Sequence, residues 1–217
     1  MNGIVRQSPV AFDANPLATE TRGHWQVVLK YETENENRGA GPFVADLSHC
    51  TRWDLQDADL GRFTPAGVAV PDSPGRCRLA ETILINRMNR TQAAVWHLSG
   101  RPVDLPPENA YTETTEMTLL LALFGNQIFQ VTEKLTNLDL RDPRHEPPFL
   151  LQGPLAHVPC QVVVLSRGEE DPGILFTCSR GYGRDMTRAI LHAGDSLGLK
   201  PAGEGAFQEW LKTIAGT

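Results

Sequence analysis

No apolar run in this chain is long enough to cross a bilayer. The longest uncharged one, Met117 to Phe124, is far short of the roughly 20 residues a spanning helix needs. The N-terminus has no basic-then-apolar layout of the signal-peptide kind, so the expected compartment is the cytoplasm. Lys and Arg are scattered rather than clustered, and they number 20 against 26 Asp and Glu, for a formal net charge of -6. That balance argues against a nucleic-acid partner, because phosphate backbones are gripped by grouped cations. The four cysteines, Cys50, Cys77, Cys160 and Cys178, show no CxxC spacing. They read as buried free thiols. A zinc site built from distant Cys and His is the alternative, but no spacing marks one. Gly181-Tyr-Gly183 is too short for a phosphate loop, and its neighbours do not complete a GxGxxG. There is no internal repeat.

What the chain does have is the composition of an ordinary globular protein. Its 217 residues, 41% hydrophobic and 21% charged, suffice for one large domain or two small ones with a real core. Residues 1–23 read as an irregular N-terminal arm, and residues 24–217 as the folded unit. Strand patterns cover His24 to Tyr31, Phe43 to Leu47 and Thr51 to Gln56, with a loop over Glu32 to Gly41. Asp57 to Arg78 is turn chemistry around at most one short strand. Thr82 to Met88 and Ala93 to Leu98 read as a hairpin. Arg101 to Asn109, with three prolines, reads as a connector and a candidate internal boundary.

Beyond it, Thr118 to Phe124 is an unbroken apolar run that reads as a buried strand. Asn126 is placed to cap a helix whose Ile128, Val131 and Leu135 share one face. Arg141 to Pro154 reads as a loop, Cys160 to Ser166 and Ile174 to Cys178 as strands. Arg184 to Gly194 reads as a helix capped by Gly194, and Gln208 to Ile214 as a last short helix. The class is α+β: a β-α-β-β-α C-terminal half resembling a ferredoxin-like split unit, preceded by a strand-rich N-terminal half.

Three stretches, in order, resemble the glycine-cleavage T-protein (aminomethyltransferase) superfamily. They are Phe43-Val-Ala-Asp-Leu-Ser-His49; then Leu119 to Gly125, the helix Ile128 to Leu135 and Thr136 to Leu140; then Val158 to Arg167, Glu170 to Gly173 and the closing segment Leu191 to Gly203. Together they span roughly residues 43–203. The resemblance implies the family's folate-binding-type domain. The chain ends where a full T-protein continues into a C-terminal barrel, so no barrel is expected. Its length and Leu151 to Pro159 are similar to the short branch typified by the gamma subunit of heterotetrameric sarcosine oxidase.

The resemblance also implies site residues. Glu81 stands where the family carries its catalytic carboxylate, though the preceding glycine pair is absent. A carboxylate there would act as a general base or position a folate nitrogen; the plainer reading is a solvated Glu at the start of a strand. Glu170 stands at the pterin-holding position, where two oxygens can meet a paired donor edge, and Arg167 could meet a folate glutamate tail. The plainer reading is a solvated charged turn. His49 reads as a packing or hydrogen-bonding residue, Asp46 and Ser48 as bonding backbone groups, and Trp53 and Trp96 as core. No metal ligand is expected.

The implied function is an accessory or scaffold subunit of one-carbon metabolism, of the methylamine, sarcosine or glycine type. Its partner would be a flavoprotein or methyltransferase complex, and tetrahydrofolate would be its cofactor, not tightly bound. The alternatives are an active tetrahydrofolate-dependent aminomethyltransferase and a stand-alone metal or redox protein using the four cysteines.

Overall fold

The computed structural model describes residues 5–34 and 41–215; most of the loop read at Glu32 to Gly41, and the first four residues of the arm, lie outside them. The architecture is α+β, with three open sheets and no closed barrel among the described residues. Strands β1 (Pro16–Arg22) and β2 (Trp25–Tyr31) form a two-stranded ribbon. A five-stranded antiparallel sheet has the order β5-β6-β7-β4-β8, from Cys77–Ala80, Ile83–Arg87, Gln92–His97, Arg52–Gln56 and Tyr111–Glu113. A six-stranded sheet has the order β10-β11-β12-β9-β3-β13, from Phe149–Leu155, Val158–Ser166, Gly173–Ser179, Thr118–Phe124, Phe43–Asp46 and Lys200–Ala202. The helices are α1 (Ile128–Glu133), α2 (Gly183–Gly194) and α3 (Glu204–Ala215).

The unbroken apolar run of β9 follows from its place in the layers. Leu119, Leu121 and Leu123 face a core shared with Ile128 and Val131 of α1 and Met186 and Ile190 of α2. Leu120, Ala122 and Phe124 face the opposite way, against Leu84 and Trp96 of the five-stranded sheet and Phe207 and Trp210 of α3. A strand buried on both faces has no use for polar alternation. The outer face of the five-stranded sheet is covered by the turn-rich segment after β4, through Leu60, Phe63 and Val70 packed on Trp53, Leu55 and Val95.

Several elements differ from the sequence reading. β1 forms inside the stretch read as an irregular arm: six of its seven residues are exposed, so no apolar face announces it, and pairing with β2 supplies its order. β10 forms inside the stretch read as a loop. It sits at the edge of its sheet, where Pro154 can lack an N–H without breaking a ladder. Because β10 precedes β11, and β3 wedges between β9 and β13, the C-terminal half departs from a simple split unit. Helix α1 starts from Gln127, in the left-handed region at φ 65, rather than from an Asn126 cap. Helix α2 includes Gly194 as its last residue and leads directly into a 3-10 turn, Asp195–Leu197, that Gly198, at φ 74, brings to its end. A Cβ at Gly194 would overlap Leu199, so that glycine serves packing. The proline-rich segment 101–109 joins β7 to β8 within one sheet; the chain passes between the two large sheets at 47–51 and 114–117.

Those two crossings are held by one side chain. Arg52 is 1% exposed and lacks an ion-pair partner among the described residues. Its Nη1 donates to the carbonyl of Cys50 (2.8 Å), its Nη2 to those of Thr115 (2.5 Å) and Thr118 (2.8 Å), both nitrogens donate to that of Ser48 (3.3 Å), and its Nε donates to Thr118 Oγ1 (3.2 Å). Burial pulls the guanidinium down to about 10, so it is charged at neutral pH. Replacing it orphans several buried carbonyls at once, each costly to leave unbonded. Arg52→Met should therefore lower stability by about 3 kcal/mol or more in urea unfolding; a loss below about 1 kcal/mol would contradict this role.

His97 gives a pH test. It is 1% exposed, its Nε2 is without a partner among the described residues, and Trp53 packs against the ring at 4.1 Å between centroids. Burial disfavours the imidazolium and pushes the pKa down to about 4. The unfolded chain takes up a proton near 6.5, the folded chain only near 4, so stability is complete above pH 6.5 and falls as pH drops through that window. The expected loss approaches ~3 kcal/mol at pH 4, and His97→Phe should flatten that part of the stability profile. An unchanged profile would be against it.

Candidate functional site

The loop between β3 and β4 carries the motif Asp46-Leu-Ser-His49, and its backbone is fixed on every side. Ser48 N–H donates to Asp46 Oδ1 (2.9 Å), Ser48 Oγ accepts from Leu120 N–H (3.2 Å), and Leu47 N–H donates to the Leu120 carbonyl (2.9 Å). Asp46 and Ser48 thus do the backbone work expected of them. With Arg52 on the carbonyls of Ser48 and Cys50, the loop aims His49 inward, its side chain 6% exposed.

His49 meets Glu204, the first residue of α3, whose carboxylate is 2% exposed. Nε2 of His49 lies 3.2 Å from Glu204 Oε1 and 3.8 Å from Cys50 Sγ, while Arg22 of β1 holds Glu204 Oε2 at 2.5 Å. Two glycines make this possible. A Cβ at Gly100, which sits at φ +68, would overlap the Glu204 carboxylate, and one at Gly203 would overlap the backbone of Leu29 in β2. Gly203 N–H also donates to Glu34 Oε1 (2.8 Å), setting the start of α3.

Burial works against charge on both partners. Cys50 and Glu204 against the imidazole outweigh that burial and lift His49 to about 10. Similarly, His49 and Arg22 outweigh burial of Glu204 and hold its carboxyl below the ordinary range. The result is an enclosed Arg22–Glu204–His49 chain of alternating charge. Two cavities flank it, and His49 lines both: one of ≈150 Å³ toward Trp25, Tyr31 and Asp46, and one of ≈210 Å³ toward His24, Thr51 and Thr115. A third, of ≈160 Å³, lies between the large sheets against Arg52, Asp54, Trp96 and Gln161.

The residues singled out from sequence lie elsewhere. Glu81 is exposed in the tight turn between β5 and β6, at φ 51, and its carboxylate has no partner among the described residues. Glu170 is exposed in the turn between β11 and β12, likewise without a partner. Arg167 is engaged as a clamp: Nη1 donates to the carbonyls of Arg141 (3.1 Å) and Asp142 (2.7 Å) and Nη2 to that of His145 (2.6 Å), with Phe149 under the guanidinium at 5.8 Å. No hydrogen bond or ion pair joins the three, and none of them lines the cavities above. The cysteines are dispersed too. Cys160 and Cys178 face each other across β11 and β12, Cys77 lies on β5, and Cys50 lies beside His49.

His49 was legible in its motif. Glu204 and Arg22 were not: the last helix was read from Gln208, four residues short of the Glu204 that starts α3, and Arg22 lies in the stretch read as an irregular arm.

The chain matches no family model and no curated protein. Solved structures do match. A chain of heterotetrameric sarcosine oxidase from Corynebacterium sp. U-96, in complex with pyrrole 2-carboxylate, has TM-score 0.56 and 16% identity over 70% of this chain and 83% of that one. Glycine cleavage system aminomethyltransferase T from Bartonella henselae has TM-score 0.54 and 16% identity over 91% of this chain and 58% of that one. This chain therefore spans little more than half the length of that aminomethyltransferase. The fold is the one anticipated from the three sequence stretches.

Glu204→Gln should strand the Arg22 and His49 charges and cost about 3 kcal/mol in chemical unfolding. Glu81→Gln and Glu170→Gln should each stay within about 0.5 kcal/mol. Equal effects of all three would refute the buried network.

Proposed function

We propose that this chain is an accessory subunit with a folate-domain scaffold, serving an oxidoreductase or methyl-transfer complex of one-carbon metabolism. The observation that carries this reading is the likeness of most of the chain to one chain of a heterotetrameric oxidase. The disposition of the family-type acids supports the accessory role. Glu81 and Glu170 are solvated at separate turns, and Arg167 is spent on backbone carbonyls.

Cavity size points the same way. Pockets for drug-sized ligands run to roughly 300–1,000 Å³, and the cavities beside His49 and between the sheets are ≈150, ≈210 and ≈160 Å³. Each is smaller than that range. A broader groove of ≈650 Å³ along α2, lined by Arg184, Arg188 and His192, has the volume but contains none of the three candidate residues. On this reading tetrahydrofolate binds the isolated chain weakly, and the partner carries the flavin or methyl-transfer chemistry.

The test is a native pull-down of the chain from its own source, with calorimetry of the isolated chain against tetrahydrofolate. A stable complex with a flavoprotein or methyltransferase, and no micromolar folate binding, is the expected result. Recovery of the chain alone with micromolar folate affinity would replace this reading with an active aminomethyltransferase.

A further inference from the structure

We propose that His49 Nε2, Cys50 Sγ and Glu204 Oε1 form a site for one divalent metal ion of the Zn²⁺ type, with a cavity water as fourth ligand. The three donor atoms lie within 4.8 Å of one another, in a nearly dry environment. Tetrahedral zinc, with bonds of about 2.0–2.3 Å, spaces its donors about 3.3–3.6 Å apart. Here Nε2 to Oε1 is 3.2 Å and Nε2 to Sγ is 3.8 Å. A displacement of roughly 1 Å at Cys50 Sγ, within reach of a small side-chain rotation, completes the tetrahedral spacing. Imidazole, thiolate and carboxylate together suit a borderline ion better than a hard one such as Mg²⁺.

The surroundings have the features of a supported site. Arg22 occupies Glu204 Oε2, which leaves Oε1 for the metal and orients the carboxylate from outside, as partners of metal-bound carboxylates do. The peptide around His49 and Cys50 is immobilised by Arg52, so two adjacent ligands are positioned before any ion arrives. Gly100 keeps the carboxylate's space clear. The ≈210 Å³ cavity that His49 lines reaches the exposed Gly23 and His24, giving an ion and a water a way in. On binding, Cys50 Sγ and His49 Nε2 each yield a proton to solvent. The site needs neither the other three cysteines nor the partner subunit, so it stands apart from the subunit reading.

The test uses the full chain, stripped with a chelator and titrated with Co²⁺ alone and then Zn²⁺. A single equivalent of Co²⁺ should bind with a near-ultraviolet thiolate charge-transfer absorption, which Zn²⁺ abolishes by displacement. Cys50→Ser should remove that absorption and Cys160→Ser should keep it. Arg22→Gln should weaken affinity about 10–100-fold. Circular dichroism of each variant separates loss of ligand from loss of fold, and the unmodified chain needs no such control. No stoichiometric Co²⁺ uptake by the unmodified chain overturns the site, as does absorption that survives Cys50→Ser or vanishes with Cys160→Ser.

Discussion

The structure depends on one buried guanidinium. Arg52 has carbonyls around it instead of a carboxylate, and those carbonyls belong to the two places where the chain passes between the large sheets. An apolar side chain there would leave the crossings with unbonded carbonyls in a dry interior. A lysine would deliver three donors from a point rather than a planar fork spanning several acceptors. The relative placement of the two sheets, and of the core between them, thus passes through one residue.

The same clamp explains why the His49 loop is a rigid presenter. A histidine on a free loop would swing toward water, because desolvation opposes its charge. Here the peptide cannot move, and the ring faces Glu204 and Cys50. The carboxylate tolerates burial because positive groups meet it on two sides, and because Gly100 and Gly203 permit approaches that a Cβ would block. Burial, charge and backbone shape agree at this one point, whereas the exposed turns bearing Glu81 and Glu170 impose no such constraint.

Much of this organisation was legible in the residues. The uniform apolarity of Thr118 to Phe124 signalled a buried strand, and the runs Thr82 to Met88 and Ala93 to Leu98 signalled the β6–β7 hairpin. Strands whose local residues read as something else were missed. β1 is polar, with six of seven residues exposed, and pairs with β2, and β10 carries Gly153 and Pro154 that its edge position tolerates. The site divided similarly. His49 sat in a recognisable motif, but Arg22 and Glu204 are far from it along the chain, and nothing local marks either as buried.

The sequence by itself determined the α+β class, the burial of the long apolar strand and the likeness in fold, because periodicity and local motifs are properties of short stretches. Tertiary structure alone decided which charges left water. Desolvation and ion pairing depend on what surrounds a group, and the groups around His49 come from the first ribbon, the end of the hairpin and the start of the last helix. Their meeting turned an ordinary helix-start acid into the centre of a buried cluster, and left the acids that resemblance had singled out in solvent.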